Sequence, residues 1–375
     1  MRKHIIYRYF LFLSLVGLMQ LTLSCSSSSN EIEPLKPEGE DTPLEKDEYT
    51  FMNVEYRKWQ NGTFQAWTTA DSRETRTIDN MNWYTPSSDY SRTAWGGRIG
   101  LQPSSVVGKE GFFRVANCGG RSYLLDPDNG AVIIHGIQHV RPGESTAHKK
   151  AFGTRYGSEA RWSEETGKLL ADNHINYISY GSNRIEVFPA AVRGNLLTPK
   201  TQKIAYAENL YLLRTFMWDM SKNLGYAFDD DKYNRLVLLF EPTFATYIDH
   251  LVQEKSALFA GDRHFIGFYL DNELPFASYQ GTGYANTEGG GWLVHTQKNR
   301  GEFYQNFCLR LLETRNCVGW VHFEYNDGYD SNGKASNKGV VSIEYEPYES
   351  FLSQMRQLNL SVHSLIDYYD IKSVQ

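Results

Sequence analysis

The chain has 375 residues, 41% of them hydrophobic and 22% charged, enough to bury one large core or two modest ones. A formal net charge of -6 and a pI near 6.0 leave no basic footprint for nucleic acid. Tyrosine (25), phenylalanine (20) and tryptophan (8) are plentiful; flat amphipathic rings suit the apolar faces of sugars and equally a core.

Arg2 and Lys3 precede an apolar run from Phe10 to Leu23 that ends at Ser24-Cys25, the pattern of a targeting segment and too short for a convincing spanning helix. Leu21-Thr22-Leu23-Ser24-Cys25 resembles a bacterial lipoprotein processing site, with Cys25 as the lipid-bearing residue, although Thr22 stands where such sites usually have Leu. A plain secretory signal is the alternative. Residues 26–48 are rich in Ser, Glu, Pro and Lys and almost free of apolar side chains, which predicts a disordered tether. The acidic tether resembles the leader of surface-exposed lipoproteins of the Bacteroides group, so the expected location is the outer membrane, reached through the lipid anchor only.

Cys118, Cys308 and Cys317 remain, an odd number with no CxxC and no zinc spacing. Buried thiols fit better than a disulfide framework. Residues 49–115 scatter Trp59, Trp67, Trp83 and Trp95 among Thr, Ser, Asn and Arg with Gly and Pro punctuation, and this predicts a small β-rich N-terminal element.

Residues 116–375 alternate strand and helix signals, the mark of an α/β protein with a parallel sheet. Tyr123-Leu124-Leu125 enters a turn at Asp126-Pro127-Asp128-Asn129-Gly130. Residues 131–138 read as strand one, 163–173 as a helix opened by Ser163 and two acids, and 175–179 as strand two. Residues 181–209 read as a long loop and 211–216 as strand three. Phe244, Ile248, Leu251 and Val252 give a helical stripe after Pro242. Helices are also expected over 300–313 and 348–360, with a further strand over 318–325. His135 and His139 share a face but find no third ligand, Asp229-Asp230-Asp231 lacks calcium-loop spacing, and Gly289-Gly290-Gly291 lacks the context of a phosphate loop. No metal or cofactor is expected.

Phe265-Ile266-Gly267-Phe268-Tyr269-Leu270 is the strongest strand signal, an unbroken apolar run that stops at Asp271-Asn272-Glu273. At the C-terminal rim of a (β/α)8 barrel such a cluster would sit where catalysis is housed. A carboxylic acid beside an amide able to bond a sugar hydroxyl is half of what glycoside hydrolysis needs. The alternative is an exposed loop acid with Asp271 capping a helix.

The blocks Gly120 to Pro127, Ile266 to Pro275, Asn286 to Trp292, Thr296 to Gly301, Cys317 to Trp320 and Ser336 to Val340 resemble agarase-type glycoside hydrolases, the β-agarase branch of the retaining (β/α)8 clan. The likeness spans roughly residues 112–370, in family order. It implies a TIM-barrel-like α/β fold, Glu273 as general acid/base at the end of strand four, and sugar contacts from Asn272, Trp292, Trp320 and Tyr325. It also implies a nucleophile at the end of strand seven, about 5 Å from the first carboxyl group.

Here the chain departs from the family. The segment carrying strands five to seven has no counterpart, and Leu274 runs almost directly into Asn286. No carboxylate precedes Tyr279-Gln280-Gly281, and Val321 and His322 stand where the family usually has His and Trp. Glu288 and Glu324 are the remaining candidates for a second carboxylate. Five barrel strands are countable, so the expected barrel is incomplete. The resulting expectation is a retaining glycoside hydrolase acting on a galactan of the agar or porphyran class. The alternatives are an inactive polysaccharide-binding surface lipoprotein derived from such an enzyme, and a truncated product that folds poorly.

Overall fold

The computed structural model describes residues 49–60, 63–87, 89–181, 188–224, 240–270, 292–329 and 335–372. Cys25, Asp271, Asn272, Glu273 and Glu288 lie outside them, as do the tether and Asp229-Asp230-Asp231. In chain order the elements begin with β1 (Met52–Arg57), β2 (Trp59–Gln60), β3 (Thr63–Phe64), β4 (Asp71–Thr75) and β5 (Ser105–Val107). Next come β6 (Arg114–Cys118), β7 (Arg121–Leu125), β8 (Ala131–Val132), β9 (Ile134–Ile137), α1 (Thr146–Arg155), α2 (Glu159–Asp172) and β10 (Tyr177–Ile178). Then follow α3 (Ala190–Leu197), β11 (Ala205–Asn209), α4 (Leu212–Leu224), α5 (Phe244–Leu258), β12 (Phe265–Tyr269) and β13 (Leu293–Val294). The chain continues through α6 (Gln297–Glu313), β14 (Gly319–His322), β15 (Gly328–Tyr329), β16 (Ala335–Ser336) and α7 (Glu349–Lys372).

The parallel sheet has five strands in the order β12-β11-β10-β9-β14. Among the described residues it is open, with β12 and β14 at its edges. The eight-stranded closure implied by the family likeness is therefore replaced, in what is described, by a five-stranded sheet. A single described helix, α6, lies between β12 and β14.

Both faces of the three central strands are buried, and side chains alternate between them as the two-residue period requires. Ile137, Ile178 and Tyr206 join Trp162, Leu170, Phe351 and Met355 under the helices. Ile134, Tyr177, Ala205 and Ala207 point the other way and pack against Trp95, Phe113 and Leu124. Trp95 thus covers sheet surface that a closed barrel would hold inside; its indole donates to Asp128 at 3.0 Å.

Antiparallel strands make up the rest. β5 to β8 form one meander that runs across residue 115, while β1 pairs with both β4 and β13. The expected strand over 131–138 is divided at Ile133, its first part in the meander and its second in the parallel sheet. Residues from Asp47 onward form one unit.

Four further expectations are corrected. Strand three is β11, not residues 211–216; Leu213, Phe216 and Met217 are buried at helical spacing inside α4. Residues 181–209 are not a long loop, since they hold α3 and β11; Ala205-Tyr206-Ala207-Glu208-Asn209 carries little β-branched signal and is still almost wholly buried. α2 starts at Glu159, where Ser158 accepts from Arg161 N; Ser163 lies inside the helix and bonds Ala160 O. The closing helix runs to Lys372 because Val362, Leu365, Ile366 and Tyr369 continue its apolar stripe.

α7 binds together distant parts of the chain. Asp367 accepts from Arg98 and Tyr90, Ser364 bonds Tyr84, and Tyr369 bonds Tyr49. Asp370 receives Nε and Nη2 of Arg121, whose Nη1 donates to Leu312 O at the end of α6.

Candidate functional site

The C-terminal ends of the parallel strands gather polar groups that the flanking apolar runs hide from a sequence reading. Three consecutive crossovers leave their strands through left-handed backbone: His139 after β9 (φ 56°), Gly181 after β10 (φ 79°) and Tyr211 after β11 (φ 49°). For His139 and Tyr211 this conformation is uncommon and strained. Gly181 has a second constraint, because a Cβ there would meet the His139 ring at 2.4 Å.

His139 Nδ1 lies 2.9 Å from Glu324 Oε2, both groups partly buried. This pair joins the loop after β9 to the residues after β14, and Phe323 meets the His139 ring edge-on. Beside it, Tyr177 Oη and Ser179 Oγ both lie within hydrogen-bond reach of Tyr269 Oη, at 3.3 and 3.4 Å. Burial pushes the Tyr177 phenol well above its ordinary range, with Tyr269 adding to the effect. It stays protonated and serves as a neutral donor.

At the end of β11 the Asn209 carboxamide accepts from Tyr211 N at 2.8 Å, while its Nδ2 is buried without a partner. Glu208, 8% exposed, precedes it. Both line a cavity of about 1100 Å³ between this strand end and helices α4 and α5, with Tyr211, Arg214, Trp218 and Tyr247. Arg214 lies 4.9 Å from the centre of the exposed Trp218 ring. The rim thus offers carboxylates, amide donors, phenols and aromatic faces, a set suited to hydroxyl-rich ligands.

The residues predicted from the sequence are dispersed. Trp320 is 7% exposed, its indole donating to Tyr304 Oη at 2.6 Å and its face lying on His135. Tyr325 is 1% exposed and bonds Thr166 Oγ1 at 2.9 Å. Neither ring has a face open to a sugar in this state. Trp292 is 46% exposed but stacks on Tyr56 and carries Arg73 at 5.1 Å, next to the β1–β13 pair; it does not line the large cavity. Asn272 and Glu273 lie outside the described residues, although β12, which leads to them, ends at this rim.

Sequence patterning does not mark Glu208, Asn209, Ser179 or Tyr269. Tyr269 sits within an apolar run, and Glu208-Asn209 in a stretch with the composition of a loop. Pairing His139 with Glu324 needed the β9–β14 register, which brings together residues 185 apart in the chain. No group of three or more His, Cys, Asp or Glu able to hold a metal occurs among the described residues. Nor is any described helix long and apolar enough to cross a membrane.

No protein-family model matches the sequence. No curated protein matches it either. Among solved structures, BpGH50 aligns with a TM-score of 0.68 at 19% identity, covering 86% of this chain and 96% of its own. AgWH50C, described as an agarase, aligns at 0.46 and 12% identity over 75% of this chain and 67% of its own. PfGH50B aligns at 0.41 and 12%, over 75% and 70%. The open sheet, its helices and the antiparallel strands around them are together similar in fold to BpGH50 over most of both chains.

Proposed function

We propose that this chain is a glycoside-hydrolase-like protein that engages a galactan of the agar or porphyran class at the C-terminal rim of its parallel sheet. The observation that carries this reading is the fold likeness to BpGH50, which extends over 96% of that protein. The rim chemistry supports it independently, through amide and phenol donors beside carboxylates and aromatic rings. In the finer form of the proposal Glu273 is the acid/base of a retaining reaction and Asn272 bonds a sugar hydroxyl, both directly after β12. Tyr269 and Trp218 then offer rings to the sugar, while Trp320 and Tyr325 support the rim from the core.

The test is reducing-end release from agar, porphyran and related galactans by the protein from residue 47 onward. Glu273→Gln is expected to lower release by about a hundredfold, the scale of a lost general acid. Release unchanged by the substitution would remove Glu273 from the reaction. A second reading, polysaccharide binding without turnover, is favoured by Glu324, whose carboxylate is engaged by His139 instead of standing free as a nucleophile. Sugar affinity without release, in wild type and Glu273→Gln alike, would select it.

Anchoring through Cys25 belongs to the same proposal. Cys25→Ser is expected to move the protein from the membrane fraction to the soluble one. Unchanged fractionation would discard the lipid anchor.

A further inference from the structure

At the opposite end of the parallel sheet, below β9 to β11, a separate cavity of about 10 Å³ is lined by polar side chains that include His135, His174, Gln202 and His363. That volume is the size of one water molecule. Three buried polar atoms on its lining residues have no partner: His135 Nε2, Gln202 Nε2 and His363 Nδ1. The other amides there are satisfied, Asn176 by His135 N and Ile133 O and Asn359 by Asn173 O and Tyr304 Oη.

The partners of the remaining ring and amide atoms fix what the three can do. His135 Nδ1 faces His174 O, and His363 Nε2 faces Gly96 O. A carbonyl only accepts, so each of these nitrogens carries the hydrogen, and in the neutral ring the other nitrogen is an acceptor. Gln202 Nε2 is an amide nitrogen, which carries two hydrogens and can only donate. The three unpartnered atoms are thus two acceptors and one donor, and the Arg92 guanidinium also lines the cavity.

We propose that this chamber is a binding site for one resident water molecule, which donates to His135 Nε2 and His363 Nδ1 and accepts from Gln202 Nε2. Water satisfies all three atoms at once with the hydrogens it has. An apolar void would leave three buried groups unpaired. Burial also pushes His135 down to about 3 and His363 to about 4, so the neutral rings used in the argument are the forms present near pH 7. The water ties the first strand of the parallel sheet to α7 and to the segment before β11.

A crystal structure of the protein, grown without added metal, is expected to show one ordered water within hydrogen-bond distance of all three atoms. Nitrogen-15 shifts of the imidazoles are expected to give hydrogen on Nδ1 of His135 and on Nε2 of His363. Water-oxygen magnetic relaxation is expected to count one fewer long-resident water in His363→Phe than in wild type. A dry chamber, the opposite tautomers, or a metal ion at the site by anomalous scattering would overturn the assignment. The first two measurements use the wild-type protein and do not depend on the variant folding.

Discussion

Lowering the pH from 7 to 5 is expected to remove about 4 kcal/mol of folding stability through His135 and His363 alone. Burial is the main cause of both depressed values, about 3 and about 4, against 6.5 for a free imidazole. A group whose folded pKa is lowered contributes stability that is fully present above the unfolded value and is lost as pH falls towards the folded one. Between pH 6.5 and about 4 the unfolded chain takes up protons that the folded chain refuses. At pH 5 this amounts to about 2 kcal/mol for each ring. His322, also lowered by burial and then by Arg300, acts in the same direction but is partly exposed and adds less. Asp126 opposes the trend, because burial raises its pKa and the folded state then gains protons as the pH falls. Urea unfolding at the two pH values measures the difference directly, and equal free energies at pH 7 and pH 5 would show that these rings do not remain neutral in the folded state.

Asp370→Ala is expected to cost about 3–5 kcal/mol, the penalty for stranding a buried charge. Arg121 is 0% exposed and meets Asp370 through two nitrogens, at 3.0 and 2.6 Å. Without the carboxylate, the guanidinium would keep one bond to Leu312 O and lose its counter-charge. The pair as a whole is worth far less than its halves, since the gain in attraction is offset by desolvation of both ions. Arg121→Met with Asp370→Leu should therefore recover most of the stability lost by Asp370→Ala. A double-mutant cycle in chemical denaturation checks both statements. A single variant as stable as wild type would mean that Arg121 finds solvent or another acceptor.

Sequence periodicity revealed the sheet better than it revealed the site. β9, β10, β12 and β14 all fall inside expected strands because β-branched and aromatic residues carry their signal. β11 does not, because Ala205 and Ala207 leave only small side chains where Trp95 packs closely, and a buried Ala looks no different from a loop Ala until its neighbour is known. The apolar run 211–216 reads as a strand from its composition, yet the buried residues there fall three and four apart. The rim is harder still. His139 and Glu324 meet only through the pairing of β9 with β14, the first and last parallel strands in chain order. Trp320 and Tyr325 show the reverse problem, since an aromatic residue at a strand end reads the same whether it faces a ligand or a helix.

The bonds made by α7 also set an order of events. Its partners Tyr49, Tyr84, Arg98 and Arg121 lie 320, 280, 269 and 249 residues earlier in the chain. At ribosomal speeds of about 5–20 residues per second, the helix emerges roughly 12–60 s after the residues it holds. Contacts of such long range also form slowly, because the intervening chain must be closed before they give any return. Through that interval the early antiparallel strands lack the element that fixes them. The first-made part of this protein therefore reaches its final form only after α7 has been translated, in a folding step that unites the chain's most distant segments.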